Sequence, residues 1–290
     1  MKNIILHLRL PFSYFLLPVF IFGIGQSMQI DYFNSIIIFI ALHFFIYPAS
    51  NAYNSYMDRD TGSIGALKNP PPVSEGVYIS TIILDIIGLL LMLLIDSKMI
   101  FLLIIYIAVS KAYSWHKLRL KKYPVIGWLA VIFFQGAYTF LLVSMAVENK
   151  ISSDWFTFQK TEGMILSTLL IGAYYPLTQI YQHDEDGSRG DNTISLMLGI
   201  RGTFIFSAVL FLISFAEAFH YFEKYFNIFQ FYIFGLCLLP AIVYFLIWFI
   251  KSFNNSSEVD YIHTMRMTFI SSTCLLIGFS IILYLNHFSG

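Results

Sequence analysis

Residues 33–60 read "FNSIIIFIALHFFIYPASNAYNSYMDRD", and this stretch changes from almost wholly apolar to strongly polar along its length. A helix needs about 20 mostly apolar residues to cross the hydrocarbon core of a bilayer, and the apolar part is nearly that long. Its polar end carries Asn54, Asp58 and Asp60. The stretch therefore predicts a membrane-spanning helix whose charged end lies at one membrane surface.

The rest of the chain has the same character. Of its 290 residues, 58% are hydrophobic and 12% are charged, and the mean hydropathy is +0.71. This composition excludes an ordinary soluble domain, and the apolar runs are too long and continuous for barrel strands. We predict an all-α polytopic membrane protein, with a single transmembrane domain over residues 1–290. Its nine spans are expected near 11–30, 34–56, 77–96, 99–115, 124–146, 163–182, 203–222, 228–250 and 267–286.

The distribution of basic residues predicts an orientation. With nine spans, 13 of the 17 Lys and Arg residues fall on the side of the N-terminus. Only Lys98, Lys150, Lys160 and Lys224 fall on the other side. Cytoplasmic loops of membrane proteins carry the excess of Lys and Arg, so the N-terminus is predicted to be cytoplasmic. The compact chain, with no added targeting segment, favours a prokaryotic inner membrane.

Two polar stretches follow even-numbered spans and therefore share one membrane face. The first is "YNSYMDRDTGSIGALKNPPP", residues 53–72, and the second is "TQIYQHDEDGSRGDNTISLMLGIRG", residues 178–202. Residues four apart share a helix face, which places Asn54 with Asp58 and Gln182 with Asp186. Such oxygen ligands suit Mg²⁺, which takes one or two carboxylates together with substrate phosphates.

Cations for the phosphates are available in Lys68 and in the loop "KAYSWHKLRLKKYP", residues 111–124. Taken alone, each polar stretch is also typical of a solvated turn, and the basic loop of a topology signal or a contact with anionic lipid. The coincidence of two acidic clusters and a basic loop on one face favours a functional site.

At these residues the chain resembles the UbiA-type intramembrane prenyltransferases. That family carries N-D-x-x-D-x-x-x-D after helix 2 and D-x-x-x-D-x-x-x-G after helix 6 of a nine-helix bundle. Asn54 and Asp58 match the first motif, whereas Ser55 and Gly62 replace two of its aspartates. The second motif matches at Asp186, Gly190 and Thr193, and Gln182 stands where an aspartate is usual. Asp60 is the expected substitute for the last carboxylate of the first motif.

A third element of the family, Y-x-x-x-K, is matched by Tyr113 and Lys117. The resemblance implies Mg²⁺-dependent transfer of an isoprenyl group from its diphosphate to an acceptor, commonly aromatic, through an allylic carbocation. It implies metal ligands at Asn54, Asp58, Asp60, Gln182 and Asp186, and catalytic roles for Asp58, Asp186, Tyr113 and Lys117. The expected diphosphate-binding residues are Asn54, Arg59, Lys68, Arg119 and Gln182.

The expected partners are an isoprenyl diphosphate donor, a small aromatic or lipid acceptor and the membrane lipids, with no nucleic acid. The sequence leaves the acceptor and the donor length open. A membrane-bound terpene cyclase or diphosphate hydrolase is the alternative within the family. A transporter is the alternative outside it, since Asp85 and His43 lie inside spans and such residues mark function. They are a candidate interior pair or proton path.

Overall fold

The computed structural model describes residues 2–254 and 258–288, most of them in helices. Within these residues, nine helices are long and apolar enough to cross a membrane. We number them in chain order as α1 (Lys2–Gly25), α2 (Tyr32–Asp58), α3 (Glu75–Met92), α4 (Ser97–Ser114), α5 (Pro124–Val147), α6 (Phe158–Ser188), α7 (Ile194–Tyr225), α8 (Ile228–Phe253) and α9 (Tyr261–His287).

Side chains at the helix starts fix several boundaries. Asp31 accepts a hydrogen bond from the backbone N–H of Asn34 at 2.9 Å, and Asp260 does the same for His263 at 2.7 Å. Thr157 and Thr193 cap α6 and α7 through their hydroxyls. These oxygens bind N–H groups that have no partner within the helix, which sets where each helix begins.

Two helices contain π-helical turns. In α2 the turn covers Ala41–Ile46 and precedes Pro48, whose ring cannot donate to the regular ladder. In α5 it covers Phe133–Tyr138. A Cβ atom at Gly136 would lie 2.7 Å from the Cα of Thr168, so only glycine lets α5 approach α6 this closely.

The helices form a closed bundle. Helix α6 packs on α7, α8 on α9, α9 on α1, α1 on α5, and α2 on α3 and α4. The interior combines aliphatic and aromatic side chains, and Phe22, Phe140, Phe234 and Phe279 belong to one of its clusters. Large apolar side chains also cover the outer surface, and Leu236 is 68% exposed. An outer surface this apolar is suited to lipid rather than water.

Candidate active site

A cavity of about 190 Å³ opens where α2 and α6 end, walled mainly by α1, α2, α4, α5 and α6. Asp58, Asp60 and Asp186 line its polar part. Tyr106 and Phe134 line its apolar part, and Tyr106 lies two helical turns, roughly 10 Å, from Tyr113 along α4. The cavity is therefore charged at one end and apolar and aromatic at the other.

The end of α2 positions the first motif. The helix stops at Asp58 because Arg59 adopts a left-handed conformation with φ 52°, and the N–H of Arg59 bonds to the carbonyl of Ser55 at 3.0 Å. Asn54, one turn earlier, donates through Nδ2 to Asp58 Oδ2 at 2.7 Å and to Ser114 Oγ at 2.8 Å. The spacing of four residues thus brings the amide and the carboxylate together at the cavity.

Two cations from the basic loop bind Asp58. Lys121 Nζ lies 2.7 Å from Asp58 Oδ2, and Arg119 lies 3.3 Å from Oδ1. Both cations also contact Asp191, Arg119 Nε at 2.5 Å and Lys121 Nζ at 3.2 Å. Burial alone would raise the pKa of Asp191, but the hydrogen bond from Arg119 and the charge of Lys121 outweigh it and lower that pKa. The two carboxylates and two cations form one buried charge network.

A third cation, Arg189, joins the two motifs. Its guanidinium pairs with Asp60 of the first motif and with Glu185 beside the second. Burial raises the pKa of Asp60, and the nearby charge of Asp58 raises it further, while Arg189 opposes both. The loop after α2 is therefore held to the end of α6 by charge.

Of the three carboxylates that line the cavity, Asp186 has the fewest contacts with other side chains. It lines the cavity and is 8% exposed, and it forms no ion pair or side-chain hydrogen bond with any described residue. Gln182, one turn before it, donates through Nε2 to the carbonyl of Ser63 at 3.2 Å and keeps its amide oxygen as a remaining ligand atom. These two side chains leave oxygen atoms for a cation bound in the cavity.

The two aspartates missing from the first motif have no substitute at their own positions. Ser55 is buried outside the cavity lining. A Cβ atom at Gly62 would lie 2.6 Å from Glu185 Oε2, because Glu185 accepts hydrogen bonds from the N–H groups of Thr61 and Gly62 at 3.0 and 3.3 Å. Glu185 occupies the space that a carboxylate at position 62 would need.

The fit of these residues to Mg²⁺ depends on how the ion is bound. No three His, Cys, Asp or Glu side chains converge as a ready-made metal site among the described residues. Mg²⁺ does not require one, because it commonly uses one or two carboxylates, water and substrate phosphates. The oxygen donors Asp58 and Asp186, with Asn54 and Gln182 beside them, fit an ion that enters with a phosphate.

Most of the predicted site residues meet at the cavity, and three do not. Arg119 is not part of the lining but contacts Asp58, which is. The predicted residues that line the cavity are Asn54, Asp58, Asp60, Tyr113, Gln182 and Asp186. Three further predicted residues lie outside the lining. Lys68 is exposed. Arg59 lies 5.8 Å from the centre of the Tyr56 ring, and Lys117 lies 5.6 Å from the centre of the Trp115 ring.

Sequence reasoning missed two cations at the cavity, Arg9 and Arg189, and named Lys121 only as one of the charges of the basic loop. Arg9 had a signal, since it is a lone charge at the start of an apolar run, and Lys121 lies four residues after Lys117. A left-handed Arg119, with φ 40°, and a 3₁₀ turn over Leu120–Lys122 direct Lys121 inward. Apart from Tyr113, the sequence also did not show which aromatic rings line the cavity. The lining rings are those of Phe12, Tyr106, Tyr113, Phe134, Tyr175 and Tyr181.

The proposed interior pair of Asp85 and His43 is wrong. Asp85 binds Lys111 of α4 at 2.6 Å. His43 instead faces α1, where Nδ1 lies 3.1 Å from the carbonyl of Ser13. The ammonium of Lys111 compensates the charge of Asp85, and the ring of His43 packs against the ring of Phe20, so the two side chains do not pair.

Comparison with known proteins shows which family this chain belongs to. The model of the UbiA prenyltransferase family matches residues 15–272. The chain belongs to the UbiA prenyltransferase family. This membership confirms the prediction of a prenyltransferase, and the helical bundle confirms the predicted all-α membrane architecture.

Solved structures share the fold at low sequence identity. A UbiA homolog from Aeropyrum pernix K1 is 14% identical with a TM-score of 0.70, covering 94% of this chain and 98% of the other. A UbiA homolog from Archaeoglobus fulgidus bound to DMAPP and Mg²⁺ is 16% identical with a TM-score of 0.68, covering 97% and 99%. A digeranylgeranylglyceryl phosphate synthase is 18% identical with a TM-score of 0.62, covering 97% and 98%. No curated protein matches the sequence.

Proposed function

We propose that this prenyltransferase moves an isoprenyl group from an allylic diphosphate to an acceptor within the membrane, with Mg²⁺ as cofactor. The observation that carries the proposal is the polarity of the cavity, in which Asp58 and Asp186 lie at one end and Tyr106 and Phe134 at the other. A donor with a charged head and an apolar tail matches that gradient. Homologues of this fold bind DMAPP or GPP together with Mg²⁺.

The diphosphate is expected to lie among Asp58, Asp186, Lys121 and Arg189. In the structure Lys121 pairs with Asp58, and Arg189 pairs with Asp60. These cations would donate hydrogen bonds to the oxygens of a bound diphosphate, and Asp58 and Asp186 would hold the metal. When bound, Mg²⁺ supplies Lewis-acid stabilisation of the leaving diphosphate.

The remaining side chains protect the allylic cation that ionisation produces. Rings of Tyr106, Tyr113, Phe134 and Tyr175 line the cavity beyond the charged end, and the hydroxyls of Tyr113 and Tyr175 bond to each other. Aromatic faces attract a cation and exclude water, so the cation reaches the acceptor before it is hydrolysed. We propose that prenyl transfer takes place in this part of the cavity and that the acceptor is aromatic.

The proposed location in the cell is based on the distribution of Lys and Arg residues. The loops that carry the site also carry most of the Lys and Arg residues, which favours a cytoplasmic N-terminus and active site. We propose the inner membrane of a prokaryote, with residues 1–290 acting as one transmembrane domain that contacts lipid on its outer surface.

Diphosphate release by purified protein in nanodiscs tests the proposal. Donors from geranyl to geranylgeranyl diphosphate are supplied with a panel of aromatic acceptors, with Mg²⁺ or with EDTA. We expect EDTA to abolish release and Asp58→Ala and Asp186→Ala each to lower it at least 100-fold, since each removes a group that acts on the leaving charge. Asp184→Ala, an exposed neighbour outside the cavity, is the matched control.

Mass spectrometry of the lipid extract separates the alternatives. A new prenylated mass supports transfer. Diphosphate release that yields only a prenol or a cyclic hydrocarbon supports a hydrolase or cyclase instead. The absence of turnover with any donor, with all three variants equal to the parent protein, would contradict the proposal and favour the transporter.

A further inference from the structure

Asp85 of α3 and Lys111 of α4 form an ion pair within the membrane-spanning part of the bundle. Asp85 Oδ2 lies 2.6 Å from Lys111 Nζ, and both residues lie outside the cavity lining. Asp85 is 8% exposed and lies roughly 15 Å along α3 from the start of the helix at Glu75. Charged side chains at this depth are costly and by default mark a function. The proposed donor site does not use this pair.

The ammonium of Lys111 joins three helices. Besides Asp85 of α3 it contacts α2, where it lies 4.5 Å from the centre of the Tyr53 ring. The buried side of α3 faces α2, and a Cβ atom at Gly88 would lie 2.5 Å from Ile46 Cδ1. Asp85 belongs to that buried side, together with Val77, Thr81, Gly88 and Met92. The ion pair therefore lies at the junction of α2, α3 and α4.

The contact between α2 and α4 beside this junction is polar and reaches the cavity. Ser50 Oγ lies 2.5 Å from Ser110 Oγ, and one turn further Asn54 Nδ2 donates to Ser114 Oγ at 2.8 Å. Asn54 Nδ2 also donates to Asp58 Oδ2 at 2.7 Å. A side-chain amide nitrogen carries two N–H donors, so both are used here. The register of α4 on α2 therefore sets the orientation of Asn54 at the cavity.

Apolar packing alone would fix this register poorly. The outer sides of α3 and α4 carry large exposed apolar side chains, among them Ile86, Leu90 and Phe101. Lipid tails are as apolar as these side chains, so a shift of α4 along its neighbours costs little hydrophobic free energy. The gap beside Asp85 and Lys111 has no room for a water molecule. A shift of α4 would therefore leave both charges unpaired in a dry environment, which is costly.

We propose that Asp85 is a positioning residue, which acts through Lys111 to hold α4 in register on α2 and so orients Asn54 and Tyr113 at the cavity. Tyr113 follows Lys111 by two residues and bonds to the hydroxyl of Tyr175 on α6. Single buried polar residues set the register of helices in coiled coils in the same way. The register is a property of the fold, whereas its effect on the reaction rate rests on the proposed prenyl transfer.

Disulfide cross-linking of α2 to α4 measures the register without requiring turnover. The full-length protein with Ser50→Cys and Ser110→Cys is oxidised in nanodiscs with copper phenanthroline, and the disulfide is quantified by peptide mass spectrometry. Three changes are compared in this background: Asp85→Asn, Asp85→Glu, and Asp85→Leu combined with Lys111→Met. The double change leaves no unpaired charge, and apolar replacement of a buried ion pair often preserves stability. Lys251→Met, at the exposed end of α8, is the control.

We expect Asp85→Asn and the double variant to cross-link about 10-fold more slowly than the parent, as the loss of a hydrogen bond between charged groups implies. Asp85→Glu keeps the charge and should retain most of the rate, and Lys251→Met should retain all of it. Diphosphate release per folded molecule, measured without the added cysteines, should fall in the same order. After cross-linking, Asp85→Asn and the parent should release diphosphate at rates within about twofold of each other, because the disulfide restores the register.

Cross-linking at the parental rate in both Asp85→Asn and the double variant would overturn the proposal, because the register would then not depend on the ion pair. An Asp85→Asn protein that still releases diphosphate slowly after cross-linking would also overturn it, since Asp85 would then act by another route. If the parent releases no diphosphate from any donor while Asp85→Asn cross-links slowly, the proposed prenyl transfer is rejected and the positioning of α4 stands. The two failures are therefore distinguishable.

Discussion

Both ends of the helical bundle bury charged side chains, but the two ends differ in what those charges contact. Away from the cavity, Lys160 is 4% exposed and its ammonium donates to Glu148 Oε1 at 2.5 Å and to Gln26 O and Ser144 Oγ at 2.8 Å each. The three donors of the ammonium each have an acceptor. At the cavity, Asp186 has no such partner among the described residues, and the hydrogen-bond partners that the structure gives Arg9 are all neutral.

The difference indicates which charges serve the fold and which serve a ligand. The network around Lys160 joins the end of α1 to α5 and α6 and has no free capacity. The cavity charges border an open space, so the ion pairs of Lys121 and Arg189 can be exchanged for contacts with a phosphate or a metal. Burial of charge alone therefore does not identify the site; incomplete compensation beside a cavity does.

The largest effect on stability is expected at Lys160. Lys160→Met leaves Glu148 buried without its counter-ion, and removing one partner of a buried ion pair costs about 3–5 kcal/mol. We expect a clear fall in the melting temperature of the detergent-solubilised protein. Lys150→Met, an exposed lysine at the same end, should change it little.

The activity of Lys160→Met tests whether the Lys160 network serves only the fold. At a temperature where Lys160→Met is folded, its rate of diphosphate release per folded molecule should match that of the parent. A Lys160→Met protein of parental stability would show that the Lys160 network does not stabilise the bundle. A folded variant that lacks turnover would show that the network also serves the reaction.

A smaller effect, on donor affinity, is expected in the basic loop. Lys121→Gln removes a charged donor at the cavity and should weaken geranyl diphosphate binding about 10- to 100-fold, the range for hydrogen bonds to charged groups. Lys117→Gln should weaken it less, because Lys117 lies over Trp115 outside the lining. Lys122→Gln, exposed in the same loop, is the control. The reverse order of Lys117 and Lys121 would mean that the loop rearranges when the donor binds.

The smallest effect concerns Asp191 and depends on pH. Because its pKa in the folded protein lies below the ordinary value, Asp191 stabilises the fold above about pH 4 and loses that contribution as pH falls further. Asp191→Asn should cost about 1.5 kcal/mol at pH 7, since Arg119 and Lys121 retain Asp58. Melting temperatures measured between pH 7 and pH 3 should show that the difference between Asp191→Asn and the parent becomes smaller as the pH falls. A difference that is constant with pH would rule out the charge as its cause.

The fold and much of the site were predictable from the sequence because the deciding signals are local. Apolar runs of spanning length predicted the nine long helices found in the described residues. Spacing by four residues placed Asn54 with Asp58, and Gln182 with Asp186, on the helix faces that meet the cavity. What failed depends on tertiary contacts. Lys160 was counted as a loop charge because nothing in the sequence brings Gln26 and Glu148 to it.

Turn geometry accounts for the other failures. The choice between Lys117 and Lys121 depends on a left-handed Arg119, a conformation that arginine seldom adopts and that the sequence does not reveal. Arg9 is also left-handed, with φ 47°, and reaches the cavity only because α1 packs beside α2. Charges in loops and at helix ends therefore need the structure before a role can be assigned.

Mg²⁺-dependent binding of geranyl diphosphate, measured by calorimetry on the parent, Asp186→Asn and Lys160→Met, tests the central claim most directly. We predict that the parent and Lys160→Met bind with equal affinity within twofold where both are folded, and that both lose the donor in EDTA. Asp186→Asn should bind at least 10-fold more weakly, with little dependence on Mg²⁺. Equal Mg²⁺-dependent binding by Asp186→Asn and the parent would contradict the claim that the cavity between the two motifs is the donor site.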